Sequence, residues 1–441
     1  MKKMNIKNSL ILAILCFTSL VNAQTLVTPK EAVKLALDNN YDIKIAENAV
    51  EVAENNTSIL NSGFLPTLTG NAGATHNIDN TEAEFANGNT TVLNGAESDR
   101  YNASLNINYT IFDGLGRRYN YKTLKEQYKL SELQARETIE NTIVQLFAVY
   151  YNVAQLTENL LALEEALKVS KDRLLRAQYQ FDYGQSTKLS VLNAEVDIVN
   201  DSINIINAKQ QLKNGKRDLN VVLGQVLKND FNVETEVDFV LEFQKDSLFE
   251  KAKTRNTALL QTEKNIVISQ LSIKSAKSTY LPTVGLVGSY GWNKNNNNAA
   301  SFVAVSTNTG LSAGLNLSWN IFDGGNTITR VRNAKVNLDT QELQKENILI
   351  SITRNFNNIW DNYLNKLEVY NLQESNIITS QNNFNRTQEK FKTGQVNSIE
   401  FRQAQLNLLN AELSRNQAKF AAKLAELDLL QISGQLLDVE F

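Results

Sequence analysis

The chain repeats part of its own sequence about 210 residues further on. Ile-Phe-Asp-Gly at 111–114 returns at 321–324, and Phe-Leu-Pro-Thr at 64–67 returns as Tyr-Leu-Pro-Thr at 280–283. Seven further residues return at the offset of 210, namely Arg176, Gln178, Phe181, Gly184, Gln185, Ala194 and Asn200 as Arg386, Gln388, Phe391, Gly394, Gln395, Ala404 and Asn410. The differing offsets indicate a length-tolerant loop between the two motifs. A unit this long is not a solenoid repeat, and it indicates a duplicated half of one larger architecture.

The first 23 residues have the pattern of a signal peptide. Lysines precede an apolar run at 10–21, and Val-Asn-Ala at 21–23 has the form of a cleavage site. The alternative, a membrane anchor, is disfavoured because the run is too short to span a bilayer. Cys16 lies in that run, so the predicted mature chain has no cysteine and forms no disulfide. Its formal charge falls from −3 to about −6, which gives no indication of nucleic-acid binding.

Two very long helices are predicted, because proline occurs only at 29, 66 and 282 and residues 117–182 contain neither proline nor glycine. Apolar residues at spacings of three and four form a seam along this segment and again 210 residues later. Each segment ends at a glycine, Gly184 or Gly394, after which a helical pattern of about half the length follows. This arrangement predicts two antiparallel helical hairpins, each preceded by a short helix (about 30–62 and 246–278).

Two pairs of strands are predicted between the short and the long helices. Residues 101–111 and 311–321 alternate strictly between apolar and polar, and their partners follow Pro66 and Pro282. An ordinary half-buried sheet would alternate in the same way. Loops rich in Asn, Thr and Gly are predicted at 76–100, which includes His76, and at 293–310. A further alternating strand is predicted at 233–243.

The fold class predicted from these elements is α+β. No segment after the signal has 18 consecutive apolar residues, so an exported chain of this kind is soluble or crosses a membrane as a β-barrel. Four strands cannot close a membrane barrel, because the smallest such barrels have eight. Two copies would give a filled barrel and three a barrel of twelve strands with a lumen. The small, polar positions of the strands favour three.

In these motifs the chain resembles the TolC-like outer-membrane efflux proteins over essentially all of residues 24–441. The resemblance rests on the two Leu-Pro-Thr strand starts, the two Ile-Phe-Asp-Gly strand ends and the two glycine-containing hairpin tips. It implies a homotrimer in the outer membrane, with a 12-stranded barrel in the lipid and a helical tunnel in the periplasm. It also implies a periplasmic adaptor and an inner-membrane pump as partners. The two structural repeats are then 24–232 and 233–441.

The family resemblance also implies where function is concentrated. The residues of the two tips, expected to dock the adaptor, are Phe181, Gly184, Gln185, Phe391, Gly394 and Gln395. In the family, acidic residues six and nine positions beyond the second glycine line the periplasmic entrance. The corresponding residues here are Glu400 and Gln403, so one carboxylate is kept and the second is lost. The alternative for Glu400 is a solvated acid on the helix surface. Arg402 stands where the family has an apolar residue, and we expect it to pair with an acid. Asp113 and Asp323 are expected to cap the long helices.

No motif for catalysis is present. The sequence has no HExxH, GxSxG or P-loop motif, and its one histidine lies in a predicted loop. We therefore expect no enzymatic activity, no cofactor and no metal, and any transport energy must come from a partner. Two functions remain open at this point: a passive export duct in the outer membrane, and a secreted coiled-coil scaffold or adhesin without a pore.

Overall fold

The computed structural model describes residues 26–227, 231–239 and 243–439, so the predicted signal peptide lies outside the described residues. The helices are α1 (Pro29–Asn39), α2 (Tyr41–Asn56), α3 (Gly116–Asp182), α4 (Lys188–Val222), α5 (Lys245–Arg255), α6 (Thr257–Ser278), α7 (Asn326–Lys392) and α8 (Ser398–Ile432). The strands are β1 (Leu26–Val27), β2 (Thr67–Glu84), β3 (Thr90–Phe112), β4 (Asn232–Val233), β5 (Thr283–Asn296) and β6 (Val305–Ser318). Short 3-10 turns occupy Ile59–Asn61 and Leu436–Asp438. Within this part of the chain, no helix is apolar over a stretch long enough to cross a membrane.

The long helices α3 and α7 and the returning helices α4 and α8 confirm the predicted hairpins. Each long helix has 67 residues and each returning helix has 35. The seam residues Leu146, Tyr150 and Val153 of α3 are fully buried, as is Phe356 of α7. Uninterrupted length thus follows from the absence of helix breakers, and the apolar seam provides the packing that stabilises it.

The predicted single short helices are wrong, because each is broken in two. The breaks fall at Asn40 and at Asn256, which adopt extended backbone conformations between helices. The Asn40 side chain accepts hydrogen bonds from the N–H groups of Asp42 and Ile43 at the start of α2, at 2.8 and 3.3 Å. An asparagine that satisfies the free N–H groups of a new helix ends one helix and begins the next.

Each break is also joined to the end of a returning helix. Asn40 donates to the carbonyl of Val222 at 2.8 Å, and Asn256 donates to that of Ile432 at 3.4 Å. The chain then turns at Gly224, where a Cβ atom would lie 2.3 Å from a backbone oxygen of the break, and the φ of this glycine is +68°. Gly434 makes the equivalent approach in the second half. Only glycine permits both the left-handed conformation and this close backbone contact.

Four strands form one antiparallel sheet in the order β2-β3-β5-β6. The predicted loops at 76–100 and 293–310 are wrong in extent, since the hairpin turns occupy only 85–89 and 297–304. Although these segments are polar, they extend as strands because their backbone groups pair with the opposite strand. His76 therefore lies on β2, directly opposite Asp99, and its Nδ1 is 2.7 Å from the Asp99 carboxylate.

The predicted strand at 233–243 is wrong over the residues that the structure describes there. Only Asn232–Val233 is extended, and it pairs in parallel with Leu26–Val27. The alternation has another cause, since the rings of Phe239 and Phe243 pack against Tyr370 and Tyr363 of α7, at centroid distances of 5.4 and 5.5 Å. Aromatic contacts along a helix thus produced a pattern that resembles a strand.

The described residues divide into two compact units, and neither coincides with one sequence repeat. Unit 1 comprises residues up to 46, 135–257 and from 349 onward, and unit 2 comprises 47–134 and 258–348. In unit 1 a hydrophobic core surrounds Tyr150, whose hydroxyl donates to the carbonyl of Val27 and accepts from the N–H of Glu234. In unit 2 the sheet adjoins α6, which contacts α3 through an ion pair of Lys264 with Glu126.

Candidate functional site

The two hairpin tips share one backbone geometry. Each long helix ends at a glycine with positive φ, +71° at Gly184 and +77° at Gly394. The N–H of Gln185 donates to the carbonyl of Gln180, and that of Gln395 donates to Lys390, at 2.7 and 2.8 Å. This pairing is the Schellman motif that closes helix ends. Nothing lies within 4 Å of a Cβ added at either glycine, so a substitution there would strain the backbone without causing a clash.

The side chains of the tips differ, although the sequence predicts equivalent roles for Phe181 and Phe391. Phe391 is only 7% exposed and stacks on Phe401 at a centroid distance of 4.7 Å. Phe181 is exposed, and its neighbour Tyr183 is 80% exposed. The second tip thus uses its aromatic residues for internal packing, whereas the first leaves them exposed. Tyr183 was not among the predicted tip residues.

Arg402 joins the two hairpins of the chain. Its guanidinium donates to both carboxylate oxygens of Asp201 on α4, at 2.7 and 2.9 Å. A second carboxylate, that of Asp197, lies 3.7 Å from Nε. The predicted pairing of Arg402 with an acid is therefore confirmed. Bidentate geometry of this kind is among the strongest that an arginine forms with a carboxylate.

The surrounding polar groups complete a buried network. Ser170 of α3 donates to Asp201 at 2.6 Å, and the side-chain amide of Gln405 donates to Ser170 at 3.0 Å and to the carbonyl of Ala166 at 2.7 Å. Arg173 forms an ion pair with Asp197. Two arginines and two aspartates balance in charge, so three helices are held together without a net buried charge.

Glu400, the predicted entrance acid, caps its own helix. Its carboxylate accepts from the N–H of Asn397 at 3.0 Å, and the Asn397 side chain accepts from the N–H of Glu400 at 2.9 Å. This capping box leaves Glu400 exposed at the start of α8. Gln403 is also exposed and donates to Asn407 at 2.8 Å. The structure does not bring Glu400 into the network of Arg402.

A groove of about 590 Å³ lies beside the tips in unit 1. Side chains of α3, α7 and α8 line it, among them Leu175, Tyr179 and the stacked Phe391 and Phe401. Its charged residues are Asp172, Arg173, Arg176 and Lys392. Arg173 is paired with Asp197 and Lys392 with Glu389, so the groove combines apolar and aromatic contact area with charges that are largely balanced.

The four-stranded sheet of unit 2 has two faces of opposite character. The pairing places Leu68, Ile107 and Ala313 in one row across the sheet, and Leu105, Tyr290 and Leu311 in the next row of the same face. Tyr109 lies near the helical end of this face, and Tyr101 and Trp292 lie toward the turns. From Tyr109 to Tyr101 the strand rises about 27 Å at ~3.4 Å per residue. An apolar band with aromatic residues at both ends is typical of a strand in lipid.

The opposite face consists of small and uncharged residues. Its five rows, counted from the helical end, are Thr110, Gly285, Asn316; Thr67, Asn108, Val287, Gly314; Thr69, Asn106, Ser289, Ser312; Asn71, Ser104, Gly291, Gly310; and Gly73, Asn102, Asn293, Asn308. Amides and hydroxyls dominate, so this face suits contact with water rather than with lipid.

The predicted caps at the strand-to-helix joints are confirmed. Asp113 accepts from the N–H of Arg117, and Asp323 accepts from that of Thr327, both at 2.8 Å. These bonds satisfy N–H groups in the first turn of each long helix. These bonds fix the residue at which each pair of strands ends and the long helix of the following helical hairpin begins.

The sequence did not identify the partners of Arg402. Asp201 and Ser170 lie 201 and 232 residues before it, and only the fold brings them together. One signal was available for Asp201, which stands on the same helical face as the buried Ala194 and Ile205. An acid on an apolar helical face requires a cation as a partner.

A profile of the family described as outer membrane efflux protein matches residues 32–225 and 248–435. Among curated proteins, the outer membrane efflux protein BepC of Brucella suis is 20% identical over 401 residues, covering 91% of this chain and 84% of that protein. The outer membrane protein TolC of Vibrio cholerae is 22% identical over 345 residues, covering 77% and 78%.

Solved structures of low sequence identity share the fold. The CmeC outer membrane channel of Campylobacter jejuni superposes with a TM-score of 0.75 at 19% identity, covering 92% of this chain and 86% of that one. CusC superposes with a TM-score of 0.73 at 16% identity, covering 93% of each chain. The fold of the chain is thus that of these outer-membrane proteins.

Replacing Arg402 should destabilise unit 1, because Asp201 would keep a buried charge without its cation. We expect Arg402→Met to cost about 3–5 kcal/mol, whereas Gln403→Met, at an exposed neighbour, should cost less than ~0.5 kcal/mol. The double variant Arg402→Met/Asp201→Leu should recover most of the loss, because no unpaired charge remains. Thermal unfolding in detergent, followed by circular dichroism, measures all three. Equal melting of Arg402→Met and Gln403→Met would contradict the network.

Proposed function

The chain belongs to the outer membrane efflux protein family, and we propose that it is the passive exit duct of a tripartite efflux or type I secretion system. Its curated relatives are outer-membrane proteins, and this is where the chain resides. The observation that carries the proposal is the sheet β2-β3-β5-β6, which is apolar on one face and polar on the other. The family is one of channel proteins, so the export itself is driven by a partner.

The sheet supports a barrel built from three copies of the chain. Strands β2 and β6 are the two edges of the sheet, and each presents a row of unpaired backbone groups. In lipid such edges are too costly, so β6 of one copy pairs with β2 of the next until the barrel closes. Three copies supply twelve strands, and the small residues of the polar face leave room for a water-filled lumen.

A scaffold without a pore fits this sheet poorly. Leu105, Leu311 and Leu315 are all more than half exposed in the single chain, on the same face as Ile107 and Tyr290. A soluble protein would have to leave this contiguous apolar face in water. Lipid covers it without cost, which favours the duct over the secreted scaffold or adhesin.

Helix α4 supports the assembly in unit 1. Six apolar residues at spacings of three and four form a stripe that is exposed in the single chain, namely Leu189, Leu192, Val196, Val199, Ile203 and Ile206. The stripe lies on the side of α4 opposite its buried residues Ala194 and Ile205. A coiled-coil seam without a partner in its own chain is expected to pack against a neighbouring copy.

We place the helical part in the periplasm, where the hairpin tips meet the adaptor and the pump. The exposed Phe181 and Tyr183 of the first tip and the groove that contains Arg176 offer a docking surface with aromatic and charged contacts. Gly184 and Gly394 hold the tips in the shape that docking requires. Gln185 and Gln395, which close the Schellman bonds, complete the tips.

Glu400 and Gln403 are proposed to line the periplasmic entrance, and Arg402 to support it from the same helix. Glu400 is exposed at the start of α8, so three copies around one axis would form a ring of three carboxylates. Gln403 stands where the family has a second acid, and it reduces the charge of the ring from six to three. Arg402 points instead to Asp201 and holds the second hairpin against the first.

Introducing lysines into the exposed apolar stripe of α4 should prevent assembly of the trimer without unfolding the chain. We expect Val199→Lys/Ile203→Lys to be a monomer in mild detergent and to form no conducting pores, because two buried charges would enter each interface. Asn204→Lys, an exposed change beside the stripe, should remain trimeric and conduct. Chemical cross-linking and planar-bilayer recordings measure the two properties. A wild type that is a stable monomer or dimer, or that never conducts, would contradict the duct.

Removing the charge of Glu400 should weaken block by divalent cations. Three carboxylates at a narrow entrance attract cations, and Glu400→Gln keeps the capping box because glutamine also accepts that bond. Bilayer recordings with added Mg²⁺ compare this variant with Gln403→Glu, in which block should strengthen. If neither change alters the block, Glu400 is a capping residue and not part of the entrance.

A further inference from the structure

The polar face of the sheet carries its first charged residue only near the turns. Beyond the row of Gly73, Asn102, Asn293 and Asn308, the next row of the same face contains Thr75, Arg100, Asn295 and Ser306. Among the strand positions that the structure places in these six rows, Arg100 alone is charged. It is exposed in the single chain. The five neutral rows before it make Arg100 the first charge of this face from the helical end, and the next is Asp79, two rows closer to the turn.

At the level of Arg100, the opposite, apolar face of the sheet also carries polar and charged residues. There Lys294 lies in the row of Tyr101, and His76 pairs with Asp99 in the row beyond. These groups border the apolar band on the side proposed to face lipid, where polar headgroups meet the protein. Two cations, Arg100 and Lys294, therefore stand side by side on adjacent strands but on opposite faces. Substituting Arg100 and Lys294 separately therefore distinguishes the effect of a charge on the lumenal face from that of a charge on the lipid-facing face.

We propose that Arg100 forms a ring of positive charge at the outer mouth of the barrel and selects small anions there. This inference rests on the proposed function, because the ring requires three copies around one lumen. Apart from Val287, the barrel below the ring has amides, hydroxyls and glycines on the lumenal side, and none of these residues is charged, so this part adds no charge selectivity of its own. The solutes favoured are chloride and small carboxylate- or phosphate-bearing ions.

The dimensions allow such a ring to act across the lumen. Twelve strands spaced ~4.8 Å apart and tilted by about 40° enclose a radius of about 12 Å. An extended arginine side chain brings its guanidinium to roughly half that distance from the axis. This separation is shorter than the Debye length of about 10 Å at 0.1 M salt and longer than the ~3 Å at 1 M. The selectivity should therefore be present at low salt and fade at high salt.

Reversal potentials across planar bilayers in a KCl gradient near 0.1 M test the proposal. We expect Arg100→Gln to lower the permeability ratio of chloride to potassium by about twofold, and Lys294→Gln to leave it unchanged. At 1 M KCl, Arg100→Gln and the wild type should become alike. The periplasmic entrance is the same in all three proteins, so its contribution cancels in the comparison.

A charge-restoring experiment strengthens the test. The only cysteine of the sequence is Cys16, in the predicted signal peptide, so Arg100→Cys introduces one thiol into the mature chain. At Arg100→Cys, a cationic methanethiosulfonate reagent should restore the wild-type ratio, and an anionic one should lower the ratio further. Lys294→Cys should respond to neither.

If Arg100→Gln leaves the ratio unchanged, or Lys294→Gln shifts it as much, the proposed role of Arg100 is wrong while the duct stands. If none of the proteins conducts, the duct itself is wrong, and the ring with it.

Discussion

The structure depends on one constraint, that backbone groups in lipid must be paired within the protein. A four-stranded sheet in the order β2-β3-β5-β6 satisfies this only in its interior and leaves two edges open. Its faces add a second requirement, because one face needs lipid and the other needs water. The closed barrel of three copies that we propose would meet both requirements at once, which would make the oligomer part of the fold rather than a later association. The exposed stripe on α4 extends the same requirement into the helices.

The two helical hairpins have the same backbone geometry at their tips but different side-chain contacts. Both tips use a glycine with positive φ and the same pair of closing hydrogen bonds. In the second, Phe391 is buried against Phe401, and Arg402 reaches across to Asp201. In the first, the aromatic residues remain exposed. The aromatic residues of the second tip thus pack internally, and those of the first form an exposed surface.

Much of this fold could be predicted, because local rules determine it. The long helices follow from the absence of proline and glycine, and their ends follow from Gly184 and Gly394. What failed depended on non-local contacts. The break at Asn40 requires the carbonyl of Val222, 182 residues away, and the extended hairpin beyond His76 requires its opposite strand. The strand predicted at 233–243 failed because aromatic packing on α7 imitates its alternation. The partner of Arg402 could not be read without the fold.

The central claim is that the face of Asn106 lines a water-filled lumen and the face of Ile107 meets lipid. Adjacent residues of β3 test it directly, since Asn106→Cys and Ile107→Cys differ by one position and point to opposite faces. In the protein reconstituted into liposomes, a hydrophilic, membrane-impermeant maleimide should label Asn106→Cys and leave Ile107→Cys unlabelled. Labelling of Ile107→Cys with Asn106→Cys protected would contradict the account.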